Sequence, residues 1–253
     1  MSWGLRLRSA KSALHYDEQL HMTAFREIVF LLDVDNTLLD NDQVIADLRA
    51  HLEGEFGATS ASRYWELYQS ARNELGYADY LGALQRFRWD SDPTLRDDPR
   101  MLQSANFLLD YPFAERLYPR ALAVIERLNA FGPTVILSDG ESVFQPRKVQ
   151  RSGIWDAVSG RVLIYIHKEQ MLDAVQRSYP AQHYVIVDDK LRVLAAMKTI
   201  LQDRLTTIFP RQGHYALDPT HTAAYPPADL AVERIGDLID IDIGKMRGPP
   251  KNR

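Results

Sequence analysis

The chain has 253 residues, 45% hydrophobic and 25% charged, enough for one sizeable core plus an inserted or appended subdomain. A formal charge of -4 and a pI near 6.0 offer no basic face to a polyanion, so nucleic acid is not an expected partner. The absence of cysteine excludes disulfides, thiolate metal sites and cysteine nucleophiles, and no apolar run approaches the roughly 20 residues that span a bilayer.

Residues 1–24 read as an N-terminal extension. Arg6, Arg8 and Lys11 stand there without an apolar signal core, so secretion is not expected and a cytoplasmic location is. Ile28-Val29-Phe30-Leu31-Leu32 reads as a strand covered on both faces, running directly into Asp33-Val34-Asp35-Asn36-Thr37. From Asp40 to about Tyr111 the apolar period is helical throughout: Val44, Ile45, Leu48 and Leu52, then Tyr64, Trp65, Leu67 and Tyr68, then Tyr80, Leu81, Leu84 and Phe87. From Pro119 helices and strands alternate. Helices are predicted at 121–131, 143–151, 169–178 and 191–201, and strands at 134–137, 162–166, 184–187, 205–209 and 230–232. Such alternation implies right-handed crossovers and a parallel sheet. The predicted organisation is an α/β core of residues 25–39 and 115–253 interrupted by a helical insert at 40–114. The stretch from Pro210 to Pro227 is long for a connection in such a unit, and loops of that length are often functional.

Ligands bind at the carboxyl ends of strands in a parallel sheet, and four predicted strand ends carry chemistry here. They deliver Asp33 and Asp35, Ser138-Asp139-Gly140, His167-Lys168, and Asp188-Asp189. If they converge, each close pair of carboxylates costs a few kcal/mol at an effective dielectric near 20. Either some are protonated or a cation lies among them. An all-oxygen donor set suits a hard ion, and magnesium, which takes a few carboxylates and keeps room for substrate phosphate, fits best.

Asp33-x-Asp35-x-Thr37 after an apolar strand, then Ser138, Lys168 and Asp188-Asp189 in order, resemble the four motifs of the haloacid dehalogenase superfamily in its phosphatase branch. The resemblance covers about Phe25 to Ile243 and implies a Rossmann-like parallel core, with the helical insert placed as a type C1 cap. It implies that Asp33 is the nucleophile, forming an aspartyl-phosphate. Asp35 would protonate the leaving oxygen and then deprotonate the attacking water. In that scheme metal contact keeps Asp33 ionised, while Asp35, away from the ion and beside like charges, holds a proton. Ser138 with the backbone N–H groups of Asp139 and Gly140 would bind the phosphoryl group, and Lys168 would offset its charge. Asp33, the backbone carbonyl of Asp35, Asp188 and Asp189 would hold magnesium. The implied activity is hydrolysis of a small phosphorylated metabolite by a monomer or homodimer. A phosphotransferase or mutase, a dehalogenase and a non-catalytic binding protein are the alternatives. Dehalogenation has no leaving oxygen to protonate and would leave Asp35 without a task.

Each assignment has a plainer rival. Asp33 and Asp35 could cap a turn, Ser138 could be an ordinary turn residue, and Asp188-Asp189 could be the N-cap of the helix at Leu191. Lys148 competes with Lys168, but its place in a helix reads as solvent-facing. Val187 stands where the superfamily usually has glycine, which leaves the division of roles between Asp188 and Asp189 open. The histidines show no metal-ligand spacing; His167 is expected at the site as the neighbour of Lys168. Tyr64, Tyr68 and Arg72 fall on one helix face, followed by Tyr77, Tyr80, Arg86 and Trp89. Packing inside the insert accounts for most of them, and Arg72 is suited to a second anionic group.

Overall fold

A computed structural model describes residues 26–90 and 93–246. The extension at 1–24 therefore lies outside the described residues. Six parallel strands form one sheet in the order β3-β2-β1-β4-β5-β6: β1 (Arg26–Leu32), β2 (Thr134–Asp139), β3 (Val162–Tyr165), β4 (Ala181–Val187), β5 (Leu205–Pro210) and β6 (Leu230–Val232). The Rossmann-like α/β architecture is as the sequence indicates. Central β1 alternates its side chains between two cores, as the period of a strand requires. Ile28, Phe30 and Leu32 enter one cluster, Val29 and Leu31 the other. That two-sided burial is why five apolar residues run together there.

Between β1 and β2 the chain is helical: α1 (Asn41–Leu75), α2 (Tyr80–Asp90) and α3 (Pro99–Leu109). Helix α1 is broken at Gly57, whose φ of 78° and ψ of 161° suit glycine alone. Its start is capped twice, by Asp40 Oδ1 accepting from the Gln43 N–H at 2.9 Å and by Asn36 Oδ1 accepting from the Asn41 N–H at 3.0 Å. The remaining helices are α4 (Ala121–Asn129), α5 (Phe144–Arg151), α6 (Ile154–Ala157), α7 (Leu172–Ser178) and α8 (Leu191–Leu201). Two departures from expectation are small. The turn α6 was not predicted, and the helix expected from 169 begins as a 3-10 turn at Lys168–Gln170. The long segment after β5 folds into two short helices, α9 (Gly213–Leu217) and α10 (Pro219–Ala223). No helix among the described residues is long and apolar enough to cross a membrane.

The helical insert is clasped where it returns to the sheet. Asp47 of α1 accepts from the Tyr111 hydroxyl and from Arg116 Nη2 at 2.9 Å, and Arg116 Nε reaches the Tyr111 oxygen at 2.6 Å. Burial opposes the Asp47 charge, but Tyr111 and Arg116 outweigh it and hold the carboxyl below its ordinary value. The clasp's contribution is thus present above pH 4 or so and fades as pH falls through the lowered value. Asp47→Asn is expected to cost about 1–2 kcal/mol at pH 7 and progressively less in acid, which paired urea titrations would measure. An equal cost at pH 3 would remove the electrostatic explanation.

Candidate active site

Strand register brings the site together. Leu32 pairs with both Ile136 and Val187, so Asp33 lies level with Asp188 and within one residue of Ser138. Asp33, Asp188 and Asp189 are fully or almost fully buried, and each places a carboxylate oxygen within 4.8 Å of the other two. Lys168 Nζ lies 2.5 Å from Asp33 Oδ1 and 2.7 Å from Asp188 Oδ2. The Ser138 hydroxyl approaches Asp33 Oδ1 at 3.3 Å. Thr37 links the two acid strands: its hydroxyl donates to Asp33 Oδ2 at 3.3 Å and accepts from the Asp189 N–H at 3.1 Å.

The three carboxylates differ electrostatically. Burial raises Asp33, but Lys168 and then Lys190 outweigh it and hold that carboxyl below the ordinary range. Burial raises Asp188, only partly opposed by Lys168 and reinforced by the charge of Asp33. Burial raises Asp189 most, well above the ordinary value, with Asp188 and Asp33 adding to it. Both oxygens of Asp189 are buried without a hydrogen-bond partner. A buried carboxylate in that condition is costly unless a cation shares the site. Three acids against Lys168 and Lys190 leave one net negative charge. The donor set is all oxygen, so these residues fit a divalent hard ion. The rival reading as a helix cap fails, because α8 takes Lys190 as its N-cap residue and receives no side-chain cap.

Asp35 stands apart from this trio. Its side chain is 25% exposed, and its Oδ1 accepts from Lys148 Nζ at 2.6 Å. The expectation of like charges beside Asp35 is therefore corrected, since its nearest charged partner is an ammonium. The reading of Lys148 as solvent-facing is corrected with it. Phe144, Gln145, Lys148 and Val149 form the buried face of α5, and Lys148 reaches both Asp35 and, at 2.8 Å, Asn41 Oδ1. Lys148 and Lys168 thus each serve one aspartate of the first motif.

The loop after β2 also differs from expectation. The Gly140 N–H donates to the Tyr165 carbonyl at 3.0 Å, extending the β2–β3 ladder, and is not free for a phosphoryl oxygen. Asp139 Oδ1 accepts from the Lys168 N–H at 2.7 Å and so holds the turn that presents Lys168. Glycine at 140 has a packing reason: an added Cβ would meet the Gln145 Cβ at 2.5 Å. Gln145, which the sequence did not single out, donates from Nε2 to the Ser138 oxygen at 3.0 Å and to Asp35 Oδ2 at 3.4 Å. Only its place on the first turn after Ser138-Asp139-Gly140 hinted at this.

A cavity of about 440 Å³ opens over the strand ends. Asp35, Gly140, Gln145 and Lys190 line its floor, whereas Asp33 lies behind them at 2% exposure. Tyr68, Arg72, Tyr77 and Tyr80 from the insert line one side, and His214 and Tyr215 of α9 join them there, where Arg72 meets Tyr215. His167 lines it too. Of the remaining aromatic and basic residues on the insert, Tyr64 is fully buried, Trp89 is exposed and Arg86 pairs with Glu74 at 2.9 Å on the surface. Lys190, Gln145 and Tyr215 were missed because a lysine beside an acid pair, a helical glutamine and a loop tyrosine carry no period or spacing of their own.

A parallel α/β sheet with acids gathered at its carboxyl edge defines a Rossmann-like hydrolase class, and the comparisons agree. The family model for haloacid dehalogenase-like hydrolases matches residues 29–200. A crystal structure described as a haloacid dehalogenase-like hydrolase from Burkholderia xenovorans LB400 is 64% identical, covering 86% of this chain and 99% of that one, with a TM-score of 0.80. The chain belongs to the haloacid dehalogenase-like hydrolase family and is an enzyme of that hydrolase class. More distant structures share the fold. The HAD-hydrolase YfnB from Bacillus subtilis, bound to magnesium, is 16% identical over 85% of this chain and 98% of that one, with a TM-score of 0.56. An L-2-haloacid dehalogenase from Xanthobacter autotrophicus is 18% identical over 83% and 96%, with a TM-score of 0.51. The chain has no match among curated proteins.

Proposed function

We propose that this enzyme is a magnesium-dependent phosphatase that hydrolyses a small phosphorylated metabolite in the cytoplasm through an aspartyl-phosphate on Asp33. The observation that carries this reading is Asp35. Two residues after the buried acid, a carboxylate faces the cavity, anchored through one oxygen by Lys148 with its other oxygen turned to Gln145. A phosphoester needs such a proton carrier for its leaving oxygen; a carbon–halogen bond does not.

In the first step the substrate's phosphate dianion, entering beside Asp35, outweighs Lys148 and lets Asp35 carry a proton. An oxygen of Asp33 attacks phosphorus, the bond to the leaving oxygen breaks, and Asp35 gives that oxygen its proton. In the second, Asp35 takes a proton from water, the water oxygen attacks phosphorus, and the Asp33 carboxylate is released. Lys168 keeps Asp33 ionised for the attack. Ser138 and the amide of Gln145 supply donors to the phosphoryl oxygens, Gln145 exchanging its present contacts for them. Asp33, Asp188, Asp189 and the backbone carbonyl of Asp35 would hold magnesium, which supplies positive charge to the phosphoryl oxygens and the nucleophile. The insert acts as a cap, excluding bulk water from the first step and admitting one molecule for the second.

The test is phosphate release from a panel of metabolite phosphates, with magnesium and with a chelator. Release that ignores chelation would overturn the mechanism, as would halide release from 2-haloacids with no phosphate release. Lys148 acts through Asp35, so Lys148→Met is expected to lower kcat roughly 100-fold with little change in KM. Because Asp35 is a quarter exposed, hydration limits the accompanying loss of stability to about 1–2 kcal/mol. A loss confined to KM would contradict the positioning role.

A further inference from the structure

The cations around the cavity are not equally satisfied. Arg192 pairs with Glu169 at 2.6 Å. Lys190 Nζ lies 5.2 Å from the Tyr215 ring centroid, and Asp189, Asp33 and Asp188 favour its charged form. Arg72, half-buried in the wall, donates from its guanidinium to the neutral Tyr215 hydroxyl. No described carboxylate forms an ion pair with it.

Its place is suited to recognition. Tyr68 and Tyr80 stack with ring centroids 4.9 Å apart and planes 11° from parallel. The stacked pair lines the same cavity as the proton carrier and the guanidinium. A basic residue in the last turn of α1 is favoured by the helix dipole. That accounts for a cation at this point of the chain, but not for a guanidinium lining the cavity with a neutral partner from α9, 143 residues away. A planar fork of donors with one neutral partner has donors left for a carboxylate or phosphate.

We propose that Arg72 takes a second anionic group on the leaving portion of the substrate, so that the enzyme prefers phosphomonoesters whose alcohol itself carries a carboxylate or a second phosphate. The proposal rests on the phosphatase reading above. Tyr215 is then a positioning residue that holds the guanidinium toward the cavity. The cavity of about 440 Å³ suits a compact metabolite of that kind.

The test compares matched esters in the presence of magnesium: 3-phosphoglycerate against glycerol 3-phosphate for the carboxylate arm, and fructose 1,6-bisphosphate against fructose 6-phosphate for the phosphate arm. In at least one arm the anionic ester is expected to show a kcat/KM roughly 10- to 100-fold higher, carried by KM. Arg72→Gln should bring that ratio toward one, and Arg72→Lys should recover part of it. A wild-type ratio near one in both arms, or a ratio that survives Arg72→Gln, overturns the proposal. If Arg72→Gln does not fold, the wild-type ratio and Arg72→Lys decide the matter, an unchanged ratio in the lysine variant counting against it. Calorimetric titration of Asp33→Asn with the same four compounds separates the two readings. Should no ester release phosphate, the phosphatase reading fails, while tighter binding of an anionic ester that depends on Arg72 sustains the anion site; equal binding overturns it too.

Discussion

Asp33→Asn is expected to reduce phosphate release by roughly 10⁴-fold or more, the scale on which loss of a nucleophile is felt. The amide cannot form the acyl-phosphate, and it also breaks the contact with Lys168 at 2.5 Å that holds the carboxyl ionised. The folded state should tolerate the change. Asp188 still partners Lys168 at 2.7 Å, and one like charge is removed from a buried cluster of three. A melting temperature within several degrees of that of the metal-free wild type, together with lost turnover, would separate catalytic failure from unfolding. Mass spectrometry of the wild type quenched in acid should find phosphate on Asp33. Turnover surviving the substitution would eliminate Asp33 as nucleophile.

Magnesium should raise the melting temperature by about 5–10 °C at a concentration one hundred times its dissociation constant, corresponding to about 2.7 kcal/mol of linkage in a chain of this size. The stabilisation originates in Asp189, whose two oxygens are buried without partners and whose proton affinity burial has raised. Asp189→Asn is then expected to have opposite effects in the two states. Without metal it relieves like-charge repulsion and raises stability by about 1–3 kcal/mol; with magnesium it loses most of the ion's contribution. The pH dependence has a defined sign. Asp188 and Asp189 are raised above the ordinary value, so the metal-free fold binds protons more tightly than the unfolded chain. Its stability therefore falls as pH rises from about 4 toward those raised values. Magnesium competes with the protons and should abolish that decline. A metal-free Asp189→Asn protein less stable than the metal-free wild type would contradict the account.

Much of the architecture was legible locally. An unbroken apolar β1 announced a strand buried on both faces, and the alternation after Pro119 announced parallel crossovers, because each element's own period records which faces it buries. Asp33, Ser138, Lys168 and Asp188 could be gathered in advance because the carboxyl ends of parallel strands lie on one edge of the sheet. The short turn α6 had no period to show.

Where a side chain points across the molecule was not legible in the same way. Lys148 looked like a surface residue because lysine in a helix normally is one. Only the packing of α5 onto the β1 loop turns it inward to Asp35, 113 residues distant. Glycine at 140 looked like a phosphate-binding backbone, but its N–H is taken by the register of β2 on β3, and its missing side chain makes room for Gln145. The meeting of Arg72 with Tyr215 joins an insert helix to a segment after β5 that no periodicity connects. The sequence alone determined the order of strands and helices and the chemistry of the strand ends, since both are written in neighbouring residues. The tertiary structure decided which lysine serves which aspartate and that Arg72 meets Tyr215, since those depend on contacts between residues more than a hundred positions apart.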